Sequence, residues 1–176
     1  MTTFQTRDQT RATSAGRRVG WLATGALTAA GLVGVAAPVQ AGHGGIAIAH
    51  NLRVAGHSGF DRVVIDYHGK RPSANVRFVQ KLFQCGSGNR VSMPGDRIVA
   101  IKLEPAQINR PSGSIAYQGP GLRSTTNYDL KSVRGIRLVC AFEGQVVFGV
   151  GVRDNVDVVR TGFLSDPKRF YVDFRR

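Results

Sequence analysis

Residues 59–67 read GFDRVVIDY, and the chain says much the same again near its end as RFYVDF at 169–174. Arg62-Val63-Val64-Ile65-Asp66-Tyr67 aligns with Arg169-Phe170-Tyr171-Val172-Asp173-Phe174 position by position. Each copy alternates with a period of two. Val63, Ile65 and Tyr67 share one face, as do Phe170, Val172 and Phe174. The other face carries Arg62 and Asp66, or Arg169 and Asp173. An apolar row backed by a charged one is the pattern of a strand in an antiparallel sheet with one solvated face. Two copies bracketing the chain predict a small antiparallel β-sandwich with pseudo-repeated halves.

Outward from the first copy, Leu52–Ala55 reads as the strand that pairs with it across the turn Gly56-His57-Ser58-Gly59. Asn75–Cys85 reads as a further strand, and Ser87–Asp96 as a polar loop closed by Pro94-Gly95. In Ile98–Leu103, Val99, Ile101 and Leu103 are expected inward. After residue 131, Ile136, Leu138, Cys140 and Phe142 form an inward row, with Arg137, Val139 and Ala141 opposite. Val146, Phe148, Val150 and Val152 form another, backed by Gly149 and Gly151. A strand at Val156–Phe163 leads through Ser165-Asp166-Pro167 into the closing copy. No segment keeps a helical period, so about eight strands and an all-β domain over 52–176 are predicted.

The first 41 residues read as an export signal. Arg17-Arg18 precede an uncharged Ala/Gly/Leu/Val-rich run, and Val39-Gln40-Ala41 suits a signal peptidase. The paired arginines also fit twin-arginine export. The alternative is an uncleaved membrane anchor, the one route by which a membrane would be a partner. Residues 42–51, rich in Gly, Ala and His, read as a flexible lead.

The chain has 24 Lys+Arg against 11 Asp+Glu, a formal net charge of +13. For an exported protein that excess points to anionic envelope polymers or phospholipid headgroups rather than to chromosomal nucleic acid. The competing explanation is compositional, because Arg far outnumbers Lys and most basic residues stand singly. Only Lys70-Arg71, Lys168-Arg169 and Arg175-Arg176 are adjacent within the domain. Cys85 and Cys140 are the only cysteines, and an oxidising compartment favours a disulfide between them over two buried thiols. His43, His50, His57 and His68 lie in the lead or near turns, so no metal site is expected.

GFDRVVIDY, Pro94-Gly95-Asp96, LEPAQ at 103–107, AFEGQVVFGVGV at 141–152 and LSDPKRFYVDF at 164–174 resemble the AMIN-like domain. That family comprises exported proteins of high-GC Gram-positive bacteria and is distantly similar to the AMIN module. The resemblance covers nearly all of the chain beyond the signal, and it implies two small packed sheets. By analogy with the AMIN modules of cell-wall amidases and secretins, it implies targeting to the envelope and to peptidoglycan. It brings no functional residues with it.

Nothing in the sequence assembles a catalytic constellation. Ser165-Asp166-Pro167-Lys168 matches S-x-x-K, but Pro167 and a following strand deny the helix that would bring the amine to the hydroxyl. Gly56-His57-Ser58-Gly59 lacks a strand–turn–helix setting, and Asp66 and Asp173 each have an arginine for cross-strand pairing. No enzyme activity, cofactor or metal is expected.

Glu104–Lys131, rich in Pro, Gly, Ser, Asn and Tyr, is the one long interruption, and such loops are usually functional. It offers Tyr117, Arg123, Asn127 and Tyr128, and Arg137 stands on the outward row beyond it. Aromatic rings can lie on sugar faces while guanidinium and amide groups bond hydroxyls or anions. These five are the expected glycan or polyanion contacts. The Gly149/Gly151 trough is a second place, where another surface can approach the strand's backbone, unless a neighbouring aromatic such as Tyr171 fills it. The expectation is thus a secreted, wall-associated, non-catalytic module. It binds peptidoglycan or an anionic wall polymer, or else joins an envelope protein complex.

Overall fold

A computed structural model describes residues 45–176, so the export signal expected at 1–41 lies outside the described residues. Eight strands of seven residues or more build two sheets, two of four two-residue strands extend them, and the other two pair with each other. The long ones are β1 (Ala47–His57), β2 (Phe60–Gly69), β3 (Ser73–Val79), β6 (Arg97–Glu104), β9 (Val133–Phe142), β10 (Gln145–Val152), β11 (Asp157–Ser165) and β12 (Lys168–Arg175). The short ones are β4 (Leu82–Phe83), β5 (Arg90–Val91), β7 (Ala106–Gln107) and β8 (Thr126–Asn127). The first sheet runs β11-β12-β2-β1-β7, the second β3-β6-β10-β9-β8, and β4-β5 make a separate hairpin.

The sandwich core is the sum of the inward rows. Val63 and Ile65 of β2 and Phe170, Val172 and Phe174 of β12 are buried against Val99, Ile101 and Leu103 of β6 and Val146, Phe148 and Val150 of β10. The two copies of the repeated phrase lie side by side in the first sheet, antiparallel and hydrogen-bonded. Their register is self-complementary: Val64 faces its own equivalent Tyr171, Arg62 faces Asp173, and Arg169 faces Asp66. The halves therefore interleave. Each sheet takes two long strands from before residue 105 and two from after residue 131.

Two bulges shift the expected faces, because one extra residue moves every later side chain to the opposite side. In β1 the irregularity falls at His50, so Ala47 and Ala49 point inward before it and Leu52 after it. The strand begins at Ala47, and residues 47–51 are sheet with buried alanines rather than part of a flexible lead. In β9 the extra residue is Val139: Leu138 faces Phe148, but Cys140 faces Val147. Cys140 and Phe142 therefore leave the inward row, and Phe142 is 59% exposed. Val139 is buried instead with Leu82, Val91 and Ala100 in a small core on the outer face of the second sheet. The stretch read as one strand to Cys85 breaks after Val79, freeing β4 and β5 to fold over that core. Cys85 and Cys140 form a disulfide that ties this flap to β9.

Candidate functional site

Because β2 and β12 are antiparallel, the end of one meets the start of the other. Lys70-Arg71 and Lys168-Arg169, far apart in the chain, thus converge at one end of the first sheet. Lys168 Nζ donates to the Gly69 carbonyl at 2.6 Å. Arg169 donates to the carbonyls of Pro167 and Asp166 at 3.2 and 3.4 Å, and the Arg71 guanidinium lies 4.1 Å over the Phe163 ring. These partners are dipoles and a π-face, not carboxylates. They orient the cations without neutralising them. Lys70, Arg71 and Lys168 are exposed.

Beside this cluster is a recess of ≈ 630 Å³ lined by Ile48, His50, Asn51, His68, Arg110, Ala116 and Gln118. The β1 bulge turns His50 outward, where its ring stacks on His68 of β2 with centroids 4.0 Å apart and planes within 4°. Arg110 is held by the Ile115 carbonyl at 2.8 Å. The carboxylate nearest the recess is spoken for. Asp66 accepts from Arg53 at 2.7 and 3.0 Å and from Asn51 at 3.3 Å. That bonding raises the Arg53 pKa further. Burial holds the His50 imidazole below its ordinary value, the adjacent His68 adds to this, and Asp66 and the Ile48 backbone only partly oppose it. The recess is therefore lined by imidazole, amide and guanidinium groups, and the neighbouring carboxylate, Asp66, is already paired.

A family model for the AMIN-like domain matches residues 47–176. The chain belongs to the AMIN-like family. No curated protein and no solved structure matches it. Membership suggests an envelope-associated binding module of extracytoplasmic proteins. Among the described residues, no group of three or more His, Cys, Asp or Glu is placed to hold a metal ion.

Within this AMIN-like domain the loop residues separate by chemistry. Tyr117 is 0% exposed, packs on Phe148 at 5.4 Å and donates its hydroxyl to the Pro120 carbonyl at 2.6 Å. Burial pushes that phenol far above its ordinary pKa. Tyr117 is a core residue and presents no ring face to a sugar, which corrects the expectation from the sequence. Tyr128 is half-buried against the same core, and burial raises its pKa too. Arg123 and Asn127 are exposed, and Arg137 is half-buried. Asn127 of β8 pairs with Gly135 of β9, and the Gly121 turn packs on Arg137, so these polar residues share the β8 edge of the second sheet.

The glycine trough is closed, but not by Tyr171. A Cβ on Gly149 would lie 2.5 Å from Leu82 Cδ1, and one on Gly151 would lie 1.9 Å from the Pro94 carbonyl oxygen. The disulfide-tied flap fills it. Tyr171 instead covers Gly162 of β11. Ser165 and Lys168 flank the β11–β12 turn with no helix between them, so the S-x-x-K match has no catalytic geometry. Sequence reading missed the basic end and the stacked histidines. The adjacent pairs at 70–71 and 168–169 were visible, but only the strand register brings them together. Asp61 was missed as well: it is buried and accepts from the Ser132 and Val133 amides at 2.5 and 2.9 Å, pinning the start of β9.

Proposed function

We propose that this protein is an extracytoplasmic, non-catalytic module that holds to the cell envelope by binding peptidoglycan or an anionic wall polymer. The observation that carries the reading is the convergence of Lys70, Arg71, Lys168 and Arg169 beside a donor-lined recess whose carboxylate is already paired. Such a surface attracts polyanions over about a Debye length, and the recess supplies the short-range selectivity that charge alone lacks. Arg123, Asn127 and Arg137 offer a secondary contact on the β8 edge. Family membership supports an envelope setting.

The test is retention on purified insoluble cell wall at low and high salt. Retention that persists in high salt supports a specific contact. Loss with salt reduces the interaction to net charge, and absence of retention overturns the reading. That last result would favour an envelope protein partner, for which two long edge strands are templates: β3 of the second sheet, with Phe78 exposed, and β11 of the first, with Val159 and Leu164 exposed.

A further inference from the structure

We propose that the recess between β1, β2 and the 108–118 loop is a phosphodiester-binding subsite, and that the stacked His50–His68 pair makes its grip strengthen as pH falls. The inference rests on the envelope-binding reading and names the group bound at that site.

The donors approach from different sides: the imidazoles from β1 and β2, Asn51 from β1, and Arg110 and Gln118 from the loop. A tetrahedral group with oxygens in several directions fits that distribution better than a flat carboxylate. The groups facing the histidines are few. Asp66 is bonded to Arg53 and Asn51, Arg110 borders the recess, and Lys70, Lys168 and Arg169, together with the exposed Asp166 of the β11–β12 turn, lie at the same end of the sheet. His50 also has a buried Nδ1 without a hydrogen-bond partner among the described residues.

In the neutral state the two rings stack without repulsion. A proton on either one places a positive charge 4.0 Å from its neighbour, and the nearest carboxylate, Asp66, already bonded to Arg53, answers it only in part. An oxyanion in the recess answers it. Protonation and anion binding are thereby coupled, each favouring the other. A phosphodiester keeps its single charge throughout the range in which histidine titrates, so any pH dependence belongs to the protein.

The experiment measures binding of soluble poly(glycerol phosphate) to the full chain by calorimetry at constant ionic strength. We expect affinity to rise roughly fivefold to tenfold from about pH 7.5 to about pH 5.5. H68Q, at an exposed position, should flatten that rise. K70Q should weaken binding at both pH values and leave their ratio unchanged. R110Q should weaken binding most.

An unchanged pH ratio in H68Q overturns the histidine assignment. Equal, equally pH-graded binding of a carboxylate polymer such as polygalacturonate overturns the phosphodiester assignment. Binding only to phosphatidylglycerol vesicles, and not to the polymer, replaces the wall with a membrane and overturns the proposal. Retention on insoluble wall that is indifferent to pH and to R110Q removes this subsite while leaving the envelope-binding reading intact. Absence of retention at either pH removes both.

Discussion

Arg62 of β2 grips Asp173 of β12 with two parallel hydrogen bonds, Nε at 2.6 Å and Nη2 at 2.8 Å. The self-complementary register puts Arg169 opposite Asp66 in the same way, yet that second ion pair does not form. Asp66 is taken by Arg53 from β1, and Arg169 turns to backbone carbonyls. The Asp173 side chain is 3% exposed and that of Arg62 27%, so the pair is largely withdrawn from water. R62A leaves a buried carboxylate unanswered and should cost about 3 kcal/mol. R62K keeps the charge but loses the fork and should recover only part of it. R169A, at the equivalent place in the repeat, should cost less than about 0.5 kcal/mol. Urea unfolding of the three variants checks the contrast, and equal costs for R62A and R169A would contradict it.

The two trough glycines should differ in their tolerance of a methyl group. At Gly151 the new Cβ meets the Pro94 backbone oxygen, which can yield only if the main chain moves, and the Asp96 amide ties that segment to the Val152 carbonyl at 2.9 Å. G151A should destabilise by about 2–3 kcal/mol. At Gly149 the obstacles are side-chain ends, Leu82 Cδ1 and, at 3.2 Å, Val139 Cγ2, which can shift more readily than main chain, and G149A should cost about 1 kcal/mol. Thermal melts of the two variants order them, and the reverse order would show that the flap is not seated as described.

The Cys85–Cys140 disulfide spans 55 residues of sequence. Chain-entropy reasoning for a loop of that length gives a contribution of about 4 kcal/mol. The double variant C85S/C140S should lose stability on that scale. Its amide exchange should rise first over β4, β5 and the 84–96 loop, because the flap's own core has only four buried residues, Leu82, Val91, Ala100 and Val139. Uniform loosening of both sheets would instead mean that the bond serves the whole sandwich.

His50 gives stability a pH dependence of known sign. Its pKa in the folded protein is lowered, chiefly by burial, so below about pH 6.5 the unfolded chain binds a proton that the folded one resists. Stability should fall as pH drops from that point toward the folded pKa, and the H50Q variant should lose this part of the slope. Melting temperatures at intervals between about pH 7.5 and about pH 5 provide the check. A slope unchanged in H50Q would place the titration elsewhere.

The sandwich was legible in the sequence wherever alternation ran unbroken. Val99-Ile101-Leu103, Val146-Phe148-Val150-Val152 and both copies of the repeated phrase are buried on the faces their period assigns. It was not legible across the bulges. One residue at Val139 carried Cys140 and Phe142 out of the row in which alternation had put them, and one at His50 made sheet out of a stretch with the composition of a linker. Tyr117 looked like a ligand platform because its neighbours are loop-forming, whereas burial of a ring depends on contacts that local composition does not encode. The basic end needed register as well as sequence.

The most direct test of the account sets that basic end against the β8 edge, at equal charge change. K70Q/K168Q and R123Q/R137Q each remove two positive charges from exposed or half-buried positions. The measurement is retention of each on purified insoluble cell wall at moderate salt, beside the unaltered chain. The account predicts that K70Q/K168Q releases most of the bound protein while R123Q/R137Q keeps most of it. Equal loss from the two variants, or greater loss from R123Q/R137Q, would contradict it.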